Sequence, residues 1–251
     1  MLDLTGKRAL VTGAGQRLGR AIAEALGAAR MQVAVHYHAS DAGAAATASV
    51  ITAAGGRAVT LRADLTDRGA ARRLVAESAD ALGGLDLLVS SAANFDRVRW
   101  SEVDDAAWDR ALALNLTAPF ELARAATPLL RASRGSMVFI TCSSATAPFA
   151  NHAPYVVSKG ALRAFMRVLA LELAPEVRVN AVAPGTVLPP PTMSPDAVAR
   201  VARQAPLARV GSAADVAEAV LYFARAPFVT GEELRVDGGR GVARVQPPGE
   251  R

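Results

Sequence analysis

RALVTGAGQRLG, at residues 8–19, is the stretch that decides the fold of this chain. Its first part, residues 8–12, predicts a strand, and a helix is predicted to begin near Leu18. Glycines between them allow a sharp turn and let the backbone approach a pyrophosphate, whose charge the free amides of the helix attract. Such turns also arise for steric reasons alone, but this one opens the first βαβ unit, which favours a dinucleotide. The predicted phosphate contacts are Gly13, Arg17, Leu18 and Gly19.

The rest of the chain repeats this alternation of short β-branched runs and longer alanine-rich helical stretches. Strands are predicted at 8–12, 32–37, 58–62, 85–89, 137–141, 178–182 and 233–236. Helices are predicted at 18–29, 41–54, 67–82, 104–131, 154–174, 195–203 and 212–225. We therefore expect a single Rossmann-type, doubly wound α/β domain with a seven-stranded parallel sheet and helices on both faces. This domain and its substrate pocket are predicted to span residues 1–240, and residues 241–251 a polar C-terminal tail.

Composition and charge narrow the classes of function. The net charge is +5, but the 28 lysines and arginines are scattered among acidic residues, so no nucleic-acid partner is expected. No stretch approaches the roughly 18 apolar residues of a membrane helix, and the N-terminus lacks a signal-peptide pattern. Three histidines and the lone Cys142 offer no metal-ligand spacing. We expect a cytoplasmic protein that acts on a small molecule without a metal or a membrane.

The end of the predicted second strand indicates which dinucleotide binds. Residues 35–40 read VHYHAS, and no carboxylate appears before Asp41. NAD-binding units place an acidic residue here for the ribose hydroxyls, and such a residue would repel a 2′-phosphate. Histidine and serine side chains can instead donate to that phosphate, although a metal site or plain surface residues are alternatives. The predicted cofactor is NADPH or NADP+, held here by His36, Tyr37, His38 and Ser40.

Tyr155 and Lys159 are the predicted catalytic pair. They are four positions apart in a helical stretch, so their side chains project from the same face about one turn apart. A phenol with a pKa of about 10 is a poor acid at neutral pH, but a neighbouring ammonium lowers that pKa by about 1 to 3. The pair is therefore predicted to serve as proton donor and acceptor.

Together these motifs make the chain resemble the short-chain dehydrogenase/reductase family over residues 5–240. The resemblance rests on the glycine turn, Asp64-Leu65, Asn115 within ALNL, Pro184-Gly185, VDGG at 236–239 and the Tyr155/Lys159 pair. It implies an NADP(H)-dependent oxidoreductase in which Tyr155 donates a proton and Lys159 lowers the pKa of the phenol and holds the ribose. It also implies a relay water held by Asn115. The remaining implied cofactor contacts are Asp64, Leu65, Ser91 and Ala92 on the adenosine side and Pro184, Gly185 and Thr186 beside the nicotinamide.

Two positions depart from the family pattern. The family's substrate-polarising serine lies thirteen residues before the tyrosine, where this chain has Cys142. A thiol is a weaker hydrogen-bond donor than a hydroxyl, and the adjacent Ser143 is the alternative donor. After the fourth strand, SSAA at residues 90–93 replaces the family's Asn-Asn-Ala-Gly, so the polar contacts to the adenosine are expected to differ.

Within the family, the chain most resembles pteridine reductases. The shared features are the Thr-Gly-x-x-x-Arg-Leu-Gly turn, the histidine-rich segment at 36–40 and Phe95. In those enzymes the arginine serves both cofactor and pterin, and the phenylalanine covers a flat heterocycle. Hydride transfer to a pterin or related C=N substrate is therefore expected; reduction of a ketone or 3-oxoacyl group, and binding of the dinucleotide without catalysis, are the alternatives. The predicted substrate contacts are Arg17, Phe95, Cys142 and Tyr155.

The helix that carries the catalytic pair also predicts an assembly. Apolar residues occur almost all round its surface between Tyr155 and Leu173, so both sides must be covered. One side packs on the sheet, and a second subunit is the expected cover for the other. Family members often form tetramers, so the resemblance implies a homotetramer.

Overall fold

The sheet of the computed structural model, which describes residues 1–146, 148–190 and 192–242, contains seven strands. These are β1 Arg8–Val11, β2 Gln32–Tyr37, β3 Arg57–Arg62, β4 Leu87–Ser90, β5 Ser136–Ile140, β6 Arg178–Pro184 and β7 Glu233–Val236. They pair in parallel in the order β3-β2-β1-β4-β5-β6-β7, which confirms the predicted sheet. The strand order reverses between β1 and β4, and ligands of such sheets bind at the carboxyl ends beside this point.

Helices cover both faces of the sheet. The main helices are α1 Arg17–Ala28, α2 Asp41–Ala53, α3 Arg68–Leu82, α4 Asp105–Leu112, α5 Ala118–Ser133, α6 Ala153–Glu172, α7 Pro195–Ala202 and α8 Ala213–Arg225. One core contains buried side chains of α1, α2 and α8, and the other contains those of α3, α5 and α6. Along β1, Ala9 and Val11 face the first core and Leu10 the second, so a strand buried on both sides reads as a continuous apolar run.

The predicted helix 104–131 is interrupted, which the sequence pattern did not indicate. Between α4 and α5 the backbone forms a π-helical stretch, Ala113–Thr117. Pro119 at the start of α5 has no N–H for the carbonyl of Asn115 four residues earlier, and its ring would clash with that carbonyl. The wider turn relieves this conflict and leaves the Asn115 carbonyl free of its usual helical partner. Single π-turns of this kind are frequent at functional sites.

The structure limits two further expectations. None of the described helices is both long and apolar enough to cross a membrane. Of the predicted tail at 241–251, residues 243–251 lie outside the described part of the chain, so the tail remains a prediction.

Candidate active site

The carboxyl ends of β1 to β4 enclose a cleft of about 730 Å³. It gathers segments that are far apart in sequence: the glycine turn, the end of β2, the segment after β3 and the segment after β4. The predicted cofactor residues that line it are Gly13, Arg17, Leu18, Gly19, His36, Tyr37, His38, Ser40, Asp64, Leu65, Ser91 and Ala92. A cleft of this size at a helix N-terminus can accommodate a dinucleotide.

Close backbone contacts explain the glycines of the turn. Gly13 has φ +68°, and a Cβ on it would lie 3.0 Å from the Cα of Ala92. A Cβ on Gly19 would collide with the carbonyl oxygen of Gly13. The hydroxyl oxygen of Thr12 accepts hydrogen bonds from the amides of Ser91 (2.9 Å) and Ala92 (3.1 Å), which fixes the segment after β4 against this turn.

Two of the predicted cofactor contacts, His36 and Tyr37, form hydrogen bonds with other groups of the protein. The Nδ1 atom of His36 accepts a hydrogen bond from the Gly13 amide (3.0 Å), so Nε2 carries the proton and donates to the carbonyl of Ala63 (3.1 Å). Burial lowers the pKa of His36 to about 4. The prediction that His36 donates to a phosphate is therefore wrong, because both nitrogens of the neutral ring are hydrogen-bonded to the backbone. These bonds connect the glycine turn to the segment after β3. The Tyr37 hydroxyl donates to Asp41 (2.6 Å).

The polar groups that remain available at the end of β2 are His38 and Ser40. The imidazole of His38 is 63% exposed, and its Nε2 lies 4.0 Å from a carboxylate oxygen of Asp64. The Ser40 hydroxyl makes a long hydrogen bond (3.4 Å) to the Gly15 carbonyl. Arg62, which the sequence reasoning missed, pairs with Tyr37 in the register of β2 and β3 and donates to the His38 carbonyl (3.1 Å). The parallel register of β2 and β3 sets Arg62 beside Tyr37, and this pairing is the pattern from which the additional cation could have been predicted.

Arg17 reaches the other side of the site. Its backbone has φ +51°, and its guanidinium donates to the carbonyl of Leu188 (2.8 Å) in the segment after β6. Of the predicted nicotinamide contacts, Pro184 ends β6, and Gly185 and Thr186 begin that segment; none of the three lines the 730 Å³ cleft. The Gly185 amide donates to Val236 (2.9 Å), which holds the end of β6 against β7.

Tyr155 and Lys159 lie on one face of α6, as predicted. The Lys159 ammonium is fully buried, donates to the Ile140 carbonyl at the end of β5 (2.8 Å) and lies 5.9 Å from the centre of the Tyr155 ring. Burial lowers the pKa of Lys159 to about 8.

The predicted direction of the Tyr155 pKa is wrong. Desolvation of the phenol, with the neighbouring Cys142 adding to the effect, raises that pKa well above its ordinary value. Loss of water around the phenol outweighs the attraction of an ammonium that is itself desolvated. The phenol therefore keeps its proton over the ordinary pH range.

Cys142 occupies the position next to Tyr155 that the spacing predicted. Its Sγ accepts a hydrogen bond from the Ser144 amide (3.4 Å) and thereby caps a short 3₁₀ turn, Ser143–Ala145. Ser143, the alternative donor, begins this turn. The Ser144 hydroxyl oxygen is buried without a hydrogen-bond partner among the described residues.

A chain of hydrogen bonds links Asn115 to α6, the helix that carries Tyr155 and Lys159. Its side-chain oxygen accepts from the Asn94 amide (3.0 Å), and its Nδ2 donates to the Asn94 side-chain oxygen (2.8 Å) and to Ser158 (3.2 Å). The Ser158 hydroxyl in turn donates to the Tyr155 carbonyl (2.7 Å). Sequence reasoning found Asn115 but missed Asn94 and Ser158, whose roles depend on contacts between distant segments.

Glu233 is a further residue that the sequence analysis did not single out, and it contacts both the end of β5 and α6. One carboxylate oxygen of Glu233 in β7 accepts a hydrogen bond from Thr141 (2.7 Å), and the other pairs with Arg163 of α6 (2.6 Å). Thr141 immediately precedes Cys142, and Arg163 lies one turn beyond Lys159. Glu233 thus connects the end of β5 to α6, which carries Tyr155 and Lys159.

Phe95 lies at the tyrosine, as the substrate prediction required. The two ring centres are 4.7 Å apart and nearly perpendicular. The Phe95 side chain is also 55% exposed, so one of its faces is open to a ligand.

The chain is similar to known proteins over nearly its whole length. Residues 13–240 match the sequence model of a family described as enoyl-(acyl carrier protein) reductase. A Streptomyces violaceoruber protein, provisionally named ketoacyl reductase 2 of the granaticin polyketide synthase, is 37% identical over 92% of this chain and 94% of its own. The structure of the angucycline C-6 ketoreductase LanV with bound NADP is similar with a TM-score of 0.90 and 30% identity, over 96% of this chain and 98% of that one. A variant of a Serratia marcescens short-chain dehydrogenase/reductase is also similar, with a TM-score of 0.90 and 31% identity over 96% and 100% of the two chains.

Proposed function

Since this chain belongs to the short-chain dehydrogenase/reductase family and is an oxidoreductase, we propose that it reduces a ketone with NADPH. The observation that carries the proposal is the half-buried Tyr155 phenol, whose raised pKa keeps it neutral, 5.9 Å from the ammonium of the buried Lys159. A phenol that keeps its proton is suited to donating it, which is what reduction of a carbonyl requires. The names of two similar proteins, a ketoacyl reductase and a ketoreductase, support a carbonyl substrate over the expected pterin.

The residues of the cleft fit NADPH. The N-terminus of α1 and the glycine turn offer backbone amides to a pyrophosphate, and Gly13 leaves room for its close approach. His38 and Ser40 line the cleft and would contact a 2′-phosphate, Arg62 donates to the His38 carbonyl beside them, and no residue of 35–40 is acidic. NADPH, when bound, supplies the hydride.

The protein contributes the proton that the reduced carbonyl takes up and the groups that replace this proton on the donor. Tyr155 donates its phenolic proton to the carbonyl oxygen of the substrate as that oxygen becomes an alkoxide. Lys159, whose pKa is about 8, still carries its proton near neutral pH and stands one helical turn away to replenish the phenol. Pro119 has no N–H to donate to the Asn115 carbonyl, so this carbonyl would be able to accept a hydrogen bond from a water that connects Lys159 to solvent. Cys142 is a weaker donor to the same oxygen than the family's serine.

Pterin reduction remains the second candidate because of Phe95. Its open face beside Tyr155 is suited to a flat heterocycle. Dinucleotide binding without catalysis is the remaining alternative, and it is opposed by the intact arrangement of Tyr155, Lys159 and Asn115.

One set of assays separates these alternatives. NADPH oxidation is measured with a panel of ketones, with dihydrobiopterin and without substrate, and the ketones are repeated with NADH. We expect turnover of ketones, a higher kcat/KM with NADPH than with NADH, and little reaction of dihydrobiopterin. Turnover of dihydrobiopterin alone would establish the second candidate. Tight NADPH binding without turnover of any substrate would establish the non-catalytic alternative.

We also propose that the chain forms a homotetramer. Val157, Val168 and Leu171 of α6 are exposed, and so is Phe120 of α5, which leaves apolar surface on these helices that a second subunit would cover. Light scattering at micromolar concentration should give four times the chain mass of 25.9 kDa. A monomer under those conditions contradicts this assembly.

A further inference from the structure

Three aromatic rings form a wall beside the catalytic tyrosine, and we call Phe95, Phe149 and His152 the aromatic wall. Phe95 stacks on His152 at 4.5 Å with an interplanar angle of 20°. Phe149 forms T-shaped pairs with both, with ring centres 6.1 Å from Phe95 and 4.9 Å from His152. Phe95 also contacts the Tyr155 ring at 4.7 Å, so the wall is continuous with the proton donor.

The wall is held in place by the backbone around it. The Val98 amide donates to the Asn151 carbonyl (2.9 Å), and Val98 forms a parallel bridge with His152. The Nδ1 atom of His152 lies 2.9 Å from the carbonyl of Ala150, which orients the imidazole. Asn94, the residue directly before Phe95, is held on the other side by a hydrogen bond from its amide to the Asn115 side chain. The rings are therefore positioned before any ligand arrives.

The two phenylalanines of the wall remain exposed, which ordinary packing does not explain. Phe95 is 55% and Phe149 36% exposed although each contacts two or more rings. Aromatic residues make up only 5% of the chain, yet two of its seven phenylalanines and one of its three tyrosines meet here. Exposed aromatic faces cost hydration free energy that a flat apolar ligand recovers on binding.

We propose that the aromatic wall makes this protein selective for ketones whose carbonyl group is attached to an aromatic ring. The inference rests on the proposed ketone reduction. Aromatic rings attract one another in offset-stacked or perpendicular arrangements with centres 4.5–7 Å apart. A substrate ring against Phe95 and Phe149 would take such a position, and the attached carbonyl would then lie on the Tyr155 side of the wall. A saturated ring of the same size lacks this interaction.

The test compares two ketones of nearly equal size. Acetophenone carries a phenyl ring on its carbonyl, and cyclohexyl methyl ketone carries the saturated ring instead. Their kcat/KM values are measured with NADPH for the wild type and for Phe95→Leu, Phe149→Leu and Phe228→Leu. Phe228 is 100% exposed in the segment between α8 and β7, so its variant is the matched control for loss of a surface phenyl ring. Melting temperature and NADPH affinity of each variant report folding and the cofactor site.

We expect the wild type to favour acetophenone by about threefold to tenfold, the range that an aromatic pair contributes. The Phe95 and Phe149 variants should each reduce that ratio towards one, and the Phe228 variant should leave it unchanged. If one wall variant does not fold, the other still decides. A wild-type ratio near one, or a ratio that both wall variants retain, overturns the inference while ketone reduction stands. Failure to reduce either ketone, or any other in the panel, refutes the proposed function itself.

Discussion

Replacing Lys159 by methionine removes a buried charge, and its effect on stability should depend on pH. The pKa of Lys159 is lowered from 10.5 to about 8 by burial, and the side chain is 2% exposed. Each pKa unit corresponds to about 1.4 kcal/mol, so this lysine alone should change the free energy of unfolding by about 3 kcal/mol across its titration range. Methionine has a similar length and no charge, so it fills the same space.

The sign follows from which state holds the proton. Between pH 8 and 10.5 the unfolded chain keeps the Lys159 proton while the folded protein releases it, so the unfolded state binds more protons. The free energy of unfolding of the wild type should therefore rise with pH in this window. This stabilisation is complete above pH 10.5 and is lost as the pH falls through 8.

The assay is urea unfolding of wild type and Lys159→Met at a series of pH values from about 7 to 10.5. Subtracting the two curves cancels groups that both proteins share, including Tyr155. We expect the wild type to gain about 3 kcal/mol relative to the variant over this range. Near neutral pH the two should be similar in stability, because the cost of the buried ammonium offsets its hydrogen bond to Ile140, worth about 1.5–3 kcal/mol. A difference that does not change with pH would refute the buried-charge argument.

Three further predictions concern the proton donor, the glycine turn and the tie between β5 and α6. Tyr155→Phe should lower kcat by at least about 100-fold with NADPH affinity retained, measured by steady-state kinetics and a binding titration; undiminished turnover would contradict its assigned role. His36→Leu strands two buried backbone groups, so it should cost about 2–6 kcal/mol in urea unfolding and weaken NADPH binding. His38→Leu should keep the stability but reduce the preference for NADPH over NADH; equal melting temperatures for these two variants would contradict the bracing role. Glu233→Gln should cost about 1–3 kcal/mol and lower kcat more than it raises KM, whereas Glu24→Gln, which breaks a surface pair on α1, should cost about 0.3 kcal/mol and leave kcat unchanged.

Local patterns explain why the sequence predicted the sheet and most of the residues that line the cleft. A central parallel strand buried on both sides is a short apolar run, whereas the edge strands β3 and β7 alternate with polar residues; all seven predicted strands agree with the structure to within about two residues. The carboxyl ends of parallel strands share one edge of the sheet, so motifs after β1, β2, β3 and β4 had to meet in one cleft. The π-helical stretch at 113–117 was missed because it depends on a conflict between Pro119 and a carbonyl four residues earlier.

The errors at the site have a common physical origin. His36 was taken for a phosphate ligand because its residue type can donate, but its burial and its two backbone partners could not be read from the strand pattern. The pKa of Tyr155 was given the wrong direction because the spacing shows a nearby ammonium and does not show the loss of water. Asn94, Ser158 and Glu233 were missed because each acts through a contact between distant segments.

The sequence by itself determined the parallel α/β sheet, the dinucleotide cleft and the pairing of Tyr155 with Lys159, because these follow from periodicity and from residue spacing within one element. Tertiary structure alone decided which titratable side chains are buried away from water. It left His36 neutral between two backbone groups, raised the pKa of Tyr155 and brought Phe95, Phe149 and His152 together as one wall. The reason is that desolvation and ring contact depend on what packs around a group, and the neighbours that pack there are remote in the chain.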